Sequence, residues 1–482
     1  MRRFTTCIAG LLVLLSSRAV TSPDTFVAGM QPPHAWEGRR IYQLLTDRFA
    51  VAPTGRRGQE SHNNDNATDP NPPCDYNLYC GGTFNGITQQ LDYIVGMGFN
   101  AIWISPVPVN YHEGYHGYWA TDFTQINPHF GTSSDLQNFV QTAHSRGVWV
   151  MVDVVLNHGG PVCTDFSQVV PFNSPSHYHA PCQVTQYQCE SYQVQHCRLC
   201  DLPDLDQDVP FVQDKLVEYV QWLLKEFQFD GIRADTVMYI KNSFWTNVTQ
   251  TTGTYIVGEV WADLSCNVNY ARNGVSSTLN YELFYTIRNV FQQGQSMYQL
   301  GQTWRDVLTY PHSRWEANFV DNHDNDRFLN QTYNIPAYKS ALTHVLFTQG
   351  IPIIYYGTEQ LFSGGIDGNY CREALWLTNY NTNTDMYRFL QTLNAAHEQL
   401  QVSQYDAREV WQDDTIYCFV RGKLLVCTTN GASSQTRNIP NLPFAGKQVC
   451  DWFQPSSCQT GAAQMAITIP QGGLPLLLFA SG

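Results

Sequence analysis

Val148-Trp149-Val150-Met151-Val152-Asp153-Val154-Val155-Leu156-Asn157-His158 is the stretch on which the architecture turns. It is apolar at both parities and then ends in an amide and an imidazole. A short run of this kind suits a parallel strand covered on both faces. Two earlier runs read the same way, Ile41-Tyr42-Gln43-Leu44-Leu45 and Ala101-Ile102-Trp103-Ile104. Between them Ile87, Leu91, Ile94 and Val95 fall on one helical face. Strands alternating with helices from about residue 40 to 400 predict an α/β fold, either a barrel or a doubly wound sheet.

The runs share an ending. Asp47-Arg48, Ser105, Asn157-His158, Arg233 with Asp235, Glu259 and Asn322-His323-Asp324 each close one. In a (β/α)₈ barrel the chemistry lies at the carboxyl ends of the strands. Helix capping accounts for one or two Asp or Asn residues. It does not account for Glu, His and Arg together.

Two regions break the alternation. Residues 159–208 are rich in Cys, Pro, His, Gln and Tyr and have no helical period. They read as a disulfide-held insertion after the third strand, and a loop of that length is usually functional. From residue 402 short alternating runs predict a small antiparallel β domain, with strands at 415–420, 424–428, 464–469 and 474–479. Gly422-Lys423 fits a two-residue hairpin turn, which sets Arg421 against Leu424 and Cys418 against Cys427. Counting outward makes the cysteines a non-hydrogen-bonded pair, where side chains lie closest, so a cross-strand disulfide is expected.

Composition limits the function. The 482 residues are 43% hydrophobic, 14% charged and 13% aromatic, and the length suggests two or three domains. Arg2 and Arg3, the apolar Cys7–Leu15 and the small residues after it read as a cleaved secretory signal over 1–22. Its removal would take away three arginines and move the net charge from −14 to −17. So acidic a chain is a poor partner for nucleic acid or an anionic membrane. No later stretch is long and apolar enough to span a bilayer. Fourteen cysteines, 13 of them after Cys7, imply disulfides in a secreted chain, with at least one thiol left over. Sequons at Asn66, Asn247 and Asn330 fit a secreted glycoprotein.

Four segments carry the chemistry: Asp153 to His158, Gly231-Ile232-Arg233-Ala234-Asp235-Thr236, Gly258-Glu259-Val260-Trp261 and Phe319-Val320-Asp321-Asn322-His323-Asp324. In this order and spacing they resemble the signature segments of the α-amylase superfamily, glycoside hydrolase family 13. Ile41 to Phe49, Gly96 to Trp103, Tyr115-His116-Gly117-Tyr118-Trp119, Leu202-Pro203-Asp204-Leu205-Asp206 and Gly350 to Tyr355 extend the likeness to the secreted fungal-type α-amylases. It runs from about residue 38 to 400, and more loosely to the C-terminus.

The resemblance implies a (β/α)₈ TIM barrel, an inserted calcium-holding domain after strand three and a C-terminal antiparallel β-sandwich. The expected division is 1–22 signal, 23–158 and 209–401 barrel, 159–208 insertion and 402–482 sandwich. It implies an endo-acting α-1,4-glucan hydrolase of the retaining type, secreted and monomeric, with an α-glucan as its partner. Related glucanotransferases and α-glucosidases are the alternative. A catalytically dead binding subunit is disfavoured, because such members lose the carboxylates. Breaking an acetal needs a proton on the leaving oxygen and a carboxylate to meet the oxocarbenium-like carbon. By resemblance Asp235 is the nucleophile, Glu259 the acid/base and Asp324 the residue that grips the distorted sugar, at the ends of strands four, five and seven. Arg233, two residues before Asp235, points to the same side of a strand and would keep it ionised.

The resemblance also assigns sugar contacts to His116, His158 and His323, stacking to Tyr118, the cleft wall to Trp119 and a sugar-contacting pair to Asp367 and Arg372. That last pair has one more intervening residue than the family pattern. Calcium ligands fall at Asn157, Asp204 and the main-chain carbonyl of Tyr239. Gln195 stands near the place of the family's next carboxylate. All are the oxygen donors Ca²⁺ prefers. His177 and His179 lack the spacing of a zinc finger. Met238 and Tyr239 replace a Lys-His pair on the leaving-group side, so altered product lengths or transfer are expected there. Implied bridges are Cys74–Cys80, Cys182–Cys197 and Cys450–Cys458, with Cys189 and Cys200 as a further pair within the insertion. Cys266 has no family partner, since Tyr310 stands in the equivalent stretch. Cys163, Cys266 and Cys371 stay unassigned.

Overall fold

The computed structural model describes residues 30–52 and 74–481. The expected signal and the Asn66 sequon lie outside the described residues. Eight parallel strands form the centre: β1 Ile41–Leu44, β2 Ala101–Ile104, β3 Trp149–Val154, β4 Gly231–Ala234, β5 Tyr255–Gly258, β6 Ser277–Thr278, β7 Ala317–Phe319 and β8 Ile351–Tyr355. Each pairs with its neighbour in chain order through β6, β7 pairs with β8, and β8 pairs with β1. The β6–β7 seam is held by a bridge between Leu279 and Ala317. The sheet therefore closes into a barrel, and the doubly wound alternative falls.

Strand parity divides the core in two. Ile41, Ala101, Trp103, Met151, Tyr255, Val257, Phe319 and Ile353 pack in one cluster inside the barrel. Tyr42, Ile102, Val150, Val152, Ile232 and Ile256, one position out of step, join the larger cluster under the helices. Side chains alternate across a strand, so Asp153 follows Met151 inward and Arg233 and Asp235 follow Gly231. Glu259 likewise follows Val257. The inward face turns from apolar to charged at the carboxyl ends of β3, β4 and β5.

Trp36 plugs the opposite end, its ring 5.2 Å from that of Tyr255. A Cβ on Gly231 would lie 2.5 Å from this indole, so only glycine admits the plug. Helix Pro210–Phe227 illustrates the outer layer: Val212, Leu216, Tyr219, Leu223 and Phe227 are buried, and the chain leaves through Gln228 in the left-handed region. The stripe expected as one helix over residues 87–95 is split. Phe84–Gln89 and Leu91–Gly96 meet at Gln90, whose ψ of 12° bends the chain, and Ile87, Leu91 and Ile94 are still buried.

Between β3 and helix Pro210–Phe227 the chain holds only short turns and the helix Tyr192–His196. Disulfides join Cys74 to Cys80, Cys182 to Cys197 and Cys189 to Cys266. The last corrects the sequence reading on two points. Cys189 does not pair with Cys200, and Cys266 does have a partner. Cys266 lies on helix Leu264–Asn273, just after β5, so the bond ties the segment to the barrel over 77 residues. Free thiols among the described residues are Cys163, Cys200 and the buried Cys371.

The C-terminal region is antiparallel. β9 Ala407–Gln412, β10 Ile416–Arg421, β11 Leu424–Thr429, β13 Gln448–Asp451, β14 Cys458–Thr460 and β16 Leu476–Ser481 make one sheet. β12 Gln435–Ile439 pairs with β15 Met465–Ile469 in a second. Ile439, Ile467 and Ile469 from the small sheet share a core with Ile416, Val420, Leu425 and Leu478 from the large one, giving the two layers of a sandwich. Gly422 turns the β10–β11 hairpin at φ +57°, Arg421 faces Leu424, and Cys418 is bonded to the opposite Cys427. Cys450 and Cys458 are bonded between β13 and β14.

Candidate active site

One guanidinium gathers three carboxylates at the open end of the barrel. Arg233 Nη1 donates to Asp153 at 2.9 and 3.0 Å and to Asp235 Oδ1 at 2.8 Å. Its Nη2 lies 3.1 Å from Glu259 Oε2. All four side chains are buried. The Thr236 amide also donates to Glu259 Oε2 at 3.1 Å. Thr236 holds φ +49°, ψ 38°, a left-handed conformation that a β-branched residue resists. Strain of this kind persists where surrounding contacts impose it, and it clusters at functional sites.

The electrostatics follow from burial. Desolvation drives the Asp235 carboxyl well above its usual range, Arg233 pulls it back, and Glu259, Asp153 and Asp324 push it up again. Asp153 is raised to about 6 by burial against the pull of Arg233. Carboxylates this close titrate together rather than singly.

Aromatic and imidazole groups wall the site. The Tyr118 hydroxyl donates to Asp153 Oδ2 at 2.8 Å and lies 2.7 Å from His323 Nε2, with the two rings stacked at an interplanar angle of 2°. Gln43 Nε2 donates to His323 Nδ1 at 2.8 Å, which leaves the imidazole proton on Nε2, 3.0 Å from Asp324 Oδ2. Arg372 donates to the Tyr115 hydroxyl at 3.0 Å and approaches Asp324 Oδ1 at 3.4 Å. His116 Nδ1 accepts from the Tyr118 amide at 3.0 Å, so its Nε2 carries a proton. His158 Nε2 donates to the Tyr118 carbonyl at 3.1 Å. Burial holds His158 down at about 4 and puts His116 and His323 well below their usual value, so these rings are neutral at neutral pH. The Trp119 amide is held by Asn110 Oδ1 at 2.7 Å, and its indole meets the edge of His116.

The likeness to proteins of known kind follows this geometry. Residues 43–412 match the family model described as the α-amylase catalytic domain. An α-amylase of Saccharomycopsis fibuligera is 33% identical over 97% of this chain and 96% of its own. The chain belongs to the α-amylase family. It is thereby a glycoside hydrolase. "Alpha-amylase 2" of Schwanniomyces occidentalis is 32% identical over 98% of this chain and 96% of its own. An α-amylase structure from Malbranchea cinnamomea superposes with a TM-score of 0.84 at 32% identity, covering 93% of this chain and 97% of that one. A cyclomaltodextrin glucanotransferase structure with three domains gives 0.80 at 26% identity, over 92% and 99%.

Met238 is 1% exposed and joins the apolar cluster under the helices. The Tyr270 hydroxyl fixes that turn by donating to the Met238 and Ile240 carbonyls, each at 3.1 Å. Tyr239 beside it is half-buried, with its phenol raised by burial and by nearby Glu259. Asp367 is exposed on the short turn Asp367–Asn369, whereas its expected companion Arg372 reaches the site.

Trp261 closes the segment that carries Glu259. Its indole is 44% exposed and lies flat on Tyr281, with centroids 5.1 Å apart and planes 8° apart, and its Nε1 donates to the Tyr285 hydroxyl. Tyr281 feels the charges of Glu259 and Asp324. The signal was available: an aromatic two residues past a strand-end acid keeps the acid's parity.

The expected metal ligands meet one test of fit. Asn157 Oδ1 and Asp204 Oδ1 are buried oxygens with no hydrogen-bond partner. They are brought together because His158 and Asp204 form a bridge and the Leu205 amide donates to the Asn157 carbonyl at 2.9 Å. Asp204 uses its other oxygen on His179 Nδ1 at 2.7 Å. Gln195 Nε2 lies 3.5 Å from the Tyr270 hydroxyl, beside the Met238–Ile240 turn that carries the Tyr239 carbonyl. Orphaned hard oxygens suit Ca²⁺. Among the described residues no three His, Cys, Asp or Glu side chains gather into a metal nest.

Proposed function

We propose that this chain is a secreted, endo-acting α-1,4-glucan hydrolase that retains anomeric configuration through a glycosyl intermediate on Asp235. The observation that carries the reading is the Arg233 guanidinium, 2.8 Å from Asp235 and 3.1 Å from Glu259. Two carboxyl groups gathered on one cation supply the pair that cleavage of a glycosidic bond needs, and the double displacement asks for about 5–5.5 Å between them. Asp235, whose anionic form Arg233 favours against burial and the neighbouring acids, attacks the anomeric carbon. Glu259 delivers its proton to the leaving oxygen and then takes one from the water that releases the sugar. Asp324, supported by Arg372 and His323, accepts hydrogen bonds from the ring's hydroxyls and binds it more strongly as it distorts. Tyr118 presents its face to that ring, and His116 Nε2 offers a donor.

Asn157, Asp204, the Tyr239 carbonyl and Gln195 are the residues that would hold Ca²⁺. Bound there, the ion would pin the 159–208 insertion to the end of β3. The insertion, a two-part barrel and the sandwich from residue 402 are the proposed domains, and a monomer is the proposed state.

Glucan transfer is the second reading. It is favoured by Tyr239 and Trp261, which offer an aromatic leaving-group side that could hold an acceptor sugar against water. Amylose digestion separates the two, since hydrolysis raises reducing ends and transfer lengthens some chains without raising them. Glu259→Gln and Asp235→Asn should each abolish activity on soluble starch. Full activity in either variant would end both readings.

A further inference from the structure

A cavity of about 480 Å³ opens at the far end of the molecule from Asp235 and Glu259. It lies where the amino ends of β1, β7 and β8 meet the start of β9: Glu37 precedes β1, Ser313 to Trp315 precede β7, Gln349 precedes β8, and Asp406 leads into β9. Pockets of this size bury small ligands. The catalytic chemistry uses none of these residues.

Two kinds of surface line it. The apolar part is the Trp304 indole, the 44% exposed Leu308 and a stack of His312 on Trp315, with ring centroids 4.0 Å apart. The polar part is fixed in place. Arg314 lies between Glu37 at 3.2 Å and Asp406 at 2.7 Å. Trp315 Nε1 donates to Glu37 Oε1 at 2.9 Å, and Gln349 ties Ser313 to the Ala407 amide. Trp304 Nε1 is a buried donor with no partner.

That mixture selects a ligand chemistry. Two carboxylates around one guanidinium leave the rim net negative, which disfavours phosphates and acidic peptides. Flat rings beside carboxylates with spare lone pairs and the unpaired Trp304 Nε1 suit a neutral ring with apolar C–H faces and equatorial hydroxyls. We infer that this cavity is a second, non-catalytic α-glucan site. The inference rests on the proposed α-glucan substrate. A polymer held here and cleaved at the other end is retained by two grips rather than one, which raises effective concentration for long chains and does nothing for short ones.

The test is titration of maltoheptaose into Glu259→Gln protein by calorimetry. Two sites are expected. Adding Trp304→Ala or His312→Ala should weaken one of them about tenfold or more and leave the other unchanged. In the active background, the same two substitutions should leave soluble maltoheptaose hydrolysis intact and slow the digestion of starch granules about tenfold. His312 is exposed, so its variant decides the matter if Trp304→Ala fails to fold. A single site in the Glu259→Gln protein, or two sites indifferent to a folded variant, overturns the inference. Failure of wild-type protein to cleave maltoheptaose would instead overturn the substrate reading, and the site count would still judge the cavity.

Discussion

Arg233 Nη1 donates to Asp235 Oδ1 at 2.8 Å, from β4 to the first residue beyond it. The same guanidinium serves Asp153 and reaches Glu259 through its second nitrogen. Only a planar fork does all three at once; a lysine ammonium is a single point. Arg233→Lys is expected to lower kcat by at least about a hundredfold, the scale for losing one aligned electrostatic donor. The acid limb of its kcat/KM profile should also move to higher pH. Burial already raises the Asp235 carboxyl and Arg233 is what lowers it, so a weaker cation leaves it protonated at higher pH. An unmoved limb would count against the nucleophile role.

Trp261 lies flat on Tyr281, beside the acid. Trp261→Ala should raise KM for maltoheptaose several-fold and shift product lengths, while Trp261→Phe restores most of both. A stacking platform is worth roughly 1 kcal/mol beyond area burial, about a fivefold effect. A product ladder identical to wild type would remove Trp261 from the leaving-group side.

The Cys189–Cys266 bond closes a 77-residue separation. Opening a loop of that size costs about 4 kcal/mol on the chain-entropy account. Cys189→Ser with Cys266→Ser should lower the unfolding midpoint clearly. Cys200→Ser, at a free and exposed thiol, should not.

Chelation tests the Asn157–Asp204 oxygens. Dialysis against EDTA should lower the Tm of wild-type protein, and added Ca²⁺ should restore it. Asp204→Ala should have a low Tm that responds to neither. Equal responses in both proteins would place the ion elsewhere.

His344, under the C-terminal strands against Tyr417 and Phe419, is held at about 3 by burial alone. The unfolded chain takes up its proton near pH 6.5. Between those values the unfolded state binds more protons, so stability falls as pH falls. From pH 7 to 5 this histidine should cost about 2 kcal/mol. His344→Phe is expected to remove that slope, measured by urea unfolding at both pH values, whatever its packing cost at either one.

The α/β alternation was legible because its strands are short, apolar runs with chemistry at their ends, and the resemblance chose the barrel over the doubly wound sheet. Parity set Arg233 and Asp235 on one side, whereas the roles of Asp235 and Glu259 came from the resemblance of their segments. The β10–β11 hairpin was legible because a two-residue turn fixes register and register fixes which cysteines face. Long-range topology was not. Cys189 meets Cys266 only because the insertion folds back over the helix after β5, and no local spacing encodes that. Met238 illustrates a second limit. The turn at Val237–Tyr239 leaves the strand's period, so parity no longer says which side chain faces the cleft. Asp367 shows a third, since its exposed position on the turn Asp367–Asn369 follows from loop length, which no periodicity encodes.

The most direct measurement is proton NMR of maltoheptaose in the first minutes of digestion, before mutarotation blurs the signal. A retaining cleavage through Asp235 requires new reducing ends to appear first as the α-anomer. Initial β-anomer would mean a single displacement by water, and Asp235 would not be the nucleophile.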